Sequence, residues 1–212
     1  MLPIGDDNPR RRFPLINYAL IAANVLVFLI ELNFGDNFVY TYSFTPSLFH
    51  ANPASYFLTI ITSTFLHAGW LHLLGNMLFL WIFGDNVEDR LGHMGYLVFY
   101  LVCGAAATLA QYAAAPNAEI IVLGASGSIA GVMGAYIVFF PGARVRVLVT
   151  IIPVRVPAWI AIGIWIALQV LSGVGTFGGD AAAGGVAYLA HVGGFFTGAF
   201  IALLANQQHE VI

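Results

Sequence analysis

Long apolar runs separated by short polar breaks make up most of the chain, and six of them are long enough to matter: Leu15 to Leu32, Leu66 to Phe83, Tyr96 to Ala114, Ser126 to Phe140, Pro157 to Leu171 and Val186 to Leu204. A weakly charged apolar run of about 20 residues crosses a hydrocarbon core of roughly 30 Å as a helix. These runs therefore predict six membrane helices. Residues 33–66 break the pattern. They hold Phe34, Phe38, Tyr40, Tyr42, Phe44, Phe49, Tyr56 and Phe57 without regular spacing, which suits a segment lying in the interface and partly embedded. The run that opens at Ser126 and ends at Pro141-Gly142 gives only ~22 Å of helix against the ~30 Å core. With its inner end at the interface, Ser126 sits below the outer surface. The backbone before it is then non-helical, which is tolerated only when buried in protein or lining a wet cavity.

Composition agrees. With 60% hydrophobic and 8% charged residues and a mean hydropathy of +0.87, the chain lies outside the range of soluble domains. One bundle uses up its 212 residues. The expected division is a cytoplasmic segment 1–14, a six-helix core 15–205 and a cytoplasmic tail 206–212. Cys103 is the one cysteine and forms no internal disulfide. The net charge of -3 gives no reason to expect a nucleic-acid partner. The start of the chain shows no small-residue cleavage site after an apolar run, so the first span is expected to be retained.

There is no lysine, and an even number of spans puts Arg10, Arg11, Arg12, Arg90, Arg144, Arg146 and Arg155 all on one side. By the positive-inside rule that side is cytoplasmic, with both termini. Segments 33–66, 115–124 and 172–185 then face outward. The expected location is a cell membrane crossed several times, plasma or inner.

Polar side chains inside spans are functional candidates: His67, His72, Asn76, Ser126, Ser128, Gln169 and His191. Ser126 opens a helix and can be read as an N-cap, or as a nucleophile whose oxyanion meets the free N–H groups of that helix end. A serine nucleophile needs a base. His191 lies at comparable depth. Gly127 and Gly131 in one run, and Ala190, Gly194 and Gly198 in the other, make faces on which two helices can approach closely. His72 and Asn76, at i and i+4, share a helix face. They serve either as interhelical glue or as donors to an oxyanion. No carboxylate is placed beside the pair, so a Ser-His dyad is expected rather than a triad. No H-E-x-x-H is present, and Asp36, Asp85, Asp89 and Asp180 fall in connections, so metal and aspartyl proteolysis are excluded. Residues 84–92 (GDNVEDRLG) read as a link in which Glu88 and Arg90 cap helix ends and pair with each other or with backbone. Residues 172–185 read as a linker or a movable cap.

Together these residues resemble the rhomboid family of intramembrane serine proteases, over essentially the whole chain. G-x-S-G (Gly124 to Gly127), A-H-x-G-G (Ala190 to Gly194) and H-x-x-x-x-H-x-x-x-N (His67, His72, Asn76) carry the likeness. The resemblance implies an all-α six-transmembrane-helix bundle with Ser126 as nucleophile and His191 as base. It further implies His72, Asn76 and the Ser126 N–H as oxyanion donors, close helix contacts at Gly124, Gly127, Gly131 and Gly194, and a cap over a water-filled cavity at 172–185. It implies single-pass membrane-protein substrates cut near the outer side of the bilayer, and neither metal nor cofactor. Two features depart from the family pattern. Residues 33–66 lack the Trp-Arg pair often found there, and Ala130 stands where some members place an aromatic ring against the histidine, so support for His191 must come from elsewhere. The alternative is a rhomboid-like protein that binds client helices without cutting them. A small transporter would require inverted repeats or strings of in-span charge, and neither is present.

Overall fold

The computed structural model describes residues 2–176 and 187–209. In chain order its elements are β1 (Leu2–Asp6), α1 (Leu15–Phe34), α2 (Asp36–Tyr42), α3 (Pro46–Ala51), α4 (Pro53–Tyr56), α5 (Thr59–Thr62) with a 3-10 turn Ser63–Phe65, α6 (Trp70–Leu91), α7 (His93–Ala114), α8 (Ser126–Phe139), β2 (Arg144–Val149), β3 (Ile152–Pro157), α9 (Ala158–Thr176) and α10 (Tyr188–His209). Among the described residues three stretches, Leu15–Phe34, His93–Ala114 and Tyr188–Gln207, are each long and apolar enough to cross a membrane alone. The bent pair Pro53–Phe65 and Trp70–Leu91 makes up to four. The protein is a mostly helical membrane bundle.

Two sequence expectations need correction. The segment 84–92 is not a link: α6 runs to Leu91 and α7 begins at His93, with only Gly92 (φ +73) between them. Falling hydropathy marks where a helix leaves the lipid, not where its hydrogen bonding stops. The charges on this overhang are used. The Glu88 carboxylate accepts from the Ile16 and Asn17 amides at 2.9 and 2.7 Å, capping α1, whose own N-cap, Pro14, provides no side-chain acceptor. Glu88 also bonds His93 rather than Arg90, and Arg90 reaches Asn206 of α10 at 3.0 Å. Asp89 receives the Arg11 and Arg12 amides, and Asp85 receives the Arg10 guanidinium.

The second correction concerns the all-α expectation. Residues on the arginine-bearing side form a three-stranded antiparallel sheet in the order β1-β2-β3. In Arg144-Val145-Arg146-Val147 the alternation of charge and apolar side chain is the period of a half-buried strand, and Val145 and Val147 are buried. The N-terminal segment is therefore tied down. β1 pairs with β2 from Leu2↔Leu148 to Asp6↔Val145, and the Asp6 carboxylate accepts from the Tyr136 hydroxyl on α8.

α8 is the hub. Every residue from Gly127 to Tyr136 is buried, so it has no lipid face and no amphipathic pattern to show. A side chain at Gly194 would overlap the Gly127 carbonyl, and one at Gly198 the Gly131 carbonyl, so α10 lies backbone to backbone on α8. The missing side chains of Gly127 and Gly131 themselves face Ala107 and Cys103 of α7. The glycines on α8 thus admit α7, and those on α10 admit α8. At the end of the bundle away from the arginines, residues 36–65 form short helices rather than irregular chain. A backbone pair between Phe44 and Val122 (3.1 and 2.8 Å) fastens them to the strand-like approach to Ser126.

Candidate active site

Ser126 is the first residue of α8; the N-cap position expected for it is taken by Ala125, which has no polar side chain to cap the helix. The first carbonyl used within the helix belongs to Ala125, bonded by Ile129 N–H at 3.0 Å, so the amides of the opening turn have no helical acceptor before them. The Ser126 hydroxyl points instead to His191 Nε2, 2.7 Å away. His191 stands in the first turn of α10, beside Ala190, where the glycine contact brings the two helices together.

The other nitrogen of that ring, Nδ1, lies 2.6 Å from the Gln169 side-chain oxygen on α9. An amide oxygen only accepts, so Nδ1 carries the ring proton and Nε2 is left free to accept from the Ser126 hydroxyl. Trp165, one turn before Gln169, lies with its ring centroid 5.5 Å from that of His191 at an interplanar angle of 40°. Support for the histidine, unassigned where Ala130 replaces an aromatic residue, comes from α9.

Gly124 takes φ +119 and donates its N–H to the Ser63 carbonyl at 2.9 Å. A Cβ there would fall 2.7 and 2.8 Å from Cε1 and Nε2 of His72, so glycine is required both by the backbone angle and by the ring it covers. His72 Nδ1 accepts the Ala68 N–H at 3.4 Å, leaving Nε2 as the ring's donor nitrogen. The Asn76 amide nitrogen is 3.0 Å from His67 Nε2, which takes one of its two protons and leaves the other available. The His67 backbone N–H is held in turn by both oxygens of Glu31, at 3.2 Å. Glu31 is a buried carboxylate in the last turn of α1. It fixes the turn before α6 and does not reach His191.

These groups line one cavity of about 680 Å³, bounded by Gly75 and Phe79 of α6, Met133 of α8 and Trp165 of α9. Ser126, His191, His72 and Asn76 all face it. Ser128 does not; it is fully buried and packs toward Gly104 of α7. Of the 172–185 segment, α9 takes the residues up to Thr176, and 177–185 lie outside the described residues. Among the described residues no group of three His, Cys, Asp or Glu side chains could hold a metal ion. Gln169 was visible in the sequence as an in-span polar residue and Trp165 as its i, i+4 neighbour. That this face of α9 meets His191 was not.

A family model described as the Rhomboid domain matches residues 54–208. Rhomboid-like protein 11, chloroplastic, from Arabidopsis thaliana is 37% identical over 114 residues, covering 51% of this chain and 40% of its own. Rhomboid protein 1, mitochondrial, from Saccharomyces cerevisiae is 33% identical over 149 residues, 68% of this chain and 41% of its own. Rhomboid protease GluP from Bacillus subtilis is 34% identical over 128 residues, 58% and 24% respectively. The chain spans less than half the length of each.

Proposed function

From the premise that this chain belongs to the rhomboid family, we propose that it is an intramembrane serine endopeptidase that cuts transmembrane segments of other membrane proteins. The observation that carries the proposal is the Ser126–His191 hydrogen bond of 2.7 Å, with the second ring nitrogen held by Gln169, at a helix N-terminus inside a cavity. The name of the Bacillus subtilis relative, a rhomboid protease, supports it. In this reading α1, α6, α7, α8, α9 and α10 are six crossings, α8 and α9 being short ones. Both termini lie on the cytoplasmic, arginine-bearing side of a cell membrane. Substrates are single-pass proteins.

The Ser126 Oγ attacks the scissile carbonyl carbon as its proton passes to His191 Nε2. Gln169 keeps the other proton on Nδ1 and stabilises the imidazolium that forms. Negative charge collects on the former carbonyl oxygen, facing the Ser126 N–H, His72 Nε2–H and the free Asn76 N–H. One such donor contributes ~3–4 kcal/mol to catalysis in other serine hydrolases. The tetrahedral intermediate collapses as His191 returns its proton to the leaving amine, and water from the cavity then hydrolyses the acyl-enzyme through the same base. An apolar helix reaches the site from lipid between α6 and α9. There Gly75 leaves the wall open, and small or helix-destabilising residues let the peptide bond bend toward Ser126.

Labelling with a fluorophosphonate probe tests the nucleophile, and cleavage of a fluorogenic transmembrane peptide in liposomes tests the activity. Wild type labels and cleaves. Ser126→Ala abolishes both, and His191→Ala lowers cleavage by roughly 10⁴-fold or more, as loss of the base does in other serine proteases. Cleavage that persists in Ser126→Ala sinks the proposal. A protein that neither labels nor cleaves, yet retains transmembrane clients, is the non-cutting binder instead.

A further inference from the structure

The hairpin made by β2 and β3 is apolar in a place that its turn chemistry does not require. Pairs Val145↔Val156, Val147↔Val154 and Val149↔Ile152 put one row of β-branched side chains on a single face. Arg144, Arg146, Leu148, Pro153 and Arg155 take the other. Exposure on the apolar face rises steadily toward the turn. Val145 is 0% exposed, Val147 2% and Val149 38%; on β3, Val154 is 40% and Ile152 64%; at the turn Ile151 is 84%.

The covered end of that row lies under the helices. Val145 and Val147 share an apolar cavity of about 260 Å³ with Phe83 of α6 and Ile162 of α9. Side chains on one face of a strand point the same way, so the uncovered end faces as the covered end does, toward the plane of the helices. Only the helices stop. β3 runs into α9 at Ala158 without a linker, and Trp159, in the first turn, is exposed, an aromatic at the level where membrane proteins place them. On the opposite face Arg146 and Arg155 are tied to Asp7 at 3.5 and 3.2 Å, which keeps the end of that side away from the turn polar. The turn itself is Thr150-Ile151, with Thr150 at φ +59. A two-residue hairpin turn favours Asn-Gly or Asp-Gly, and a β-branched residue at positive φ is an outlier. An apolar tip is kept there at some cost in backbone strain.

We propose that the β2–β3 hairpin is a membrane-seated element. Val149, Ile151, Ile152 and Val154 lie in the interfacial layer of the leaflet on the arginine-bearing side, in contact with lipid. Lipid is the occupant because the uncovered end of the row faces the same way as the end packed beneath the helices, and because the exposed Trp159 at the start of α9 continues the exposed apolar surface beside it. The hairpin joins α8, which bears Ser126, to α9, which bears Gln169 and Trp165, so its seating sets the depth of the helix whose Gln169 supports the His191 ring.

The test uses the full chain in lipid nanodiscs and does not depend on activity, so its failure is separate from failure of the protease reading. In a Cys103→Ala background, single cysteines replacing Ile152, Val154 or Arg155, all exposed, are labelled with an environment-sensitive nitrobenzoxadiazole dye. Lipids brominated on their acyl chains are expected to quench positions 152 and 154 several-fold more than 155. Aqueous iodide is expected to do the reverse. Iodide quenching at 152 equal to that at 155, without quenching by bromolipid, overturns the proposal. So does shielding from both quenchers, which would mean that protein, such as a second copy of the chain, covers the face.

Discussion

Gln169 lies beneath the ring of His191 with an oxygen that only accepts, and this fixes which nitrogen faces Ser126. Gln169→Leu leaves the Nδ1–H without a partner, a cost of ~1–3 kcal/mol, so kcat is expected to fall by roughly 10–100-fold with KM little changed. Gln169→Glu keeps an acceptor in place and is expected to restore most of the rate. Steady-state kinetics on a transmembrane substrate separates this from a purely structural role, which would track thermal stability and not distinguish Leu from Glu. At this scale the sequence names the groups that the proposed reaction uses, because Ser126, His191, His72 and Asn76 stand out as polar atoms in apolar runs. It does not say which side chains orient them. Gln169 looks no different from interhelical glue until α9 is rotated against α10, and Glu31 acts through the His67 backbone, where residue type carries no signal.

Between elements, the seam that joins the N-terminal strand to α8, which bears Ser126, is titratable. Burial pushes the Asp6 carboxyl up from 3.8 to about 6, against the opposing pull of the hydrogen bond from Tyr136. A carboxyl raised on folding favours the folded arrangement while it is protonated. Its contribution is complete below its ordinary value and is lost as pH rises through about 6. The β1–β2 amides are therefore expected to be better protected from hydrogen exchange at pH 5 than at pH 7, after correction for intrinsic exchange. Asp6→Asn should flatten the difference; an unchanged difference would show that Asp6 is not its source. Helix existence was legible for every apolar run, since lipid demands satisfied backbone and only a helix supplies it locally. Helix ends were not, because α6 carries its charges past Phe83 on intact hydrogen bonds and spends them on α1 and the N-terminal segment. The sheet was written in the Arg-Val alternation, but its first strand comes from the other end of the chain.

Across the whole molecule, the proposed substrate path passes between α6 and α9, beside Gly75 in the wall of the cavity that Ser126 and His191 also line. Nothing lies within 4 Å of where a Gly75 side chain would begin. Gly75→Leu should not destabilise α6, since replacing a helical glycine gains up to ~1 kcal/mol. It should raise KM for a transmembrane substrate by roughly tenfold, as filling an apolar subsite does. Labelling by a small fluorophosphonate should persist, and equal loss of both readouts would place the substrate path elsewhere. By itself the sequence determined the solvent, the helical runs, the clustering of seven arginines at one end and the groups fit for nucleophile, base and donors. Composition and local spacing carry those facts, because burial in lipid penalises every polar atom that lacks a purpose. Tertiary structure alone decided that glycine seams bring residues 65 positions apart to 2.7 Å, that α9 supplies the support missing at Ala130, and that an apolar hairpin reaches out beneath the bundle. Those depend on the rotation and depth of one helix against another, and such relations come from packing between distant segments rather than from any one stretch of chain.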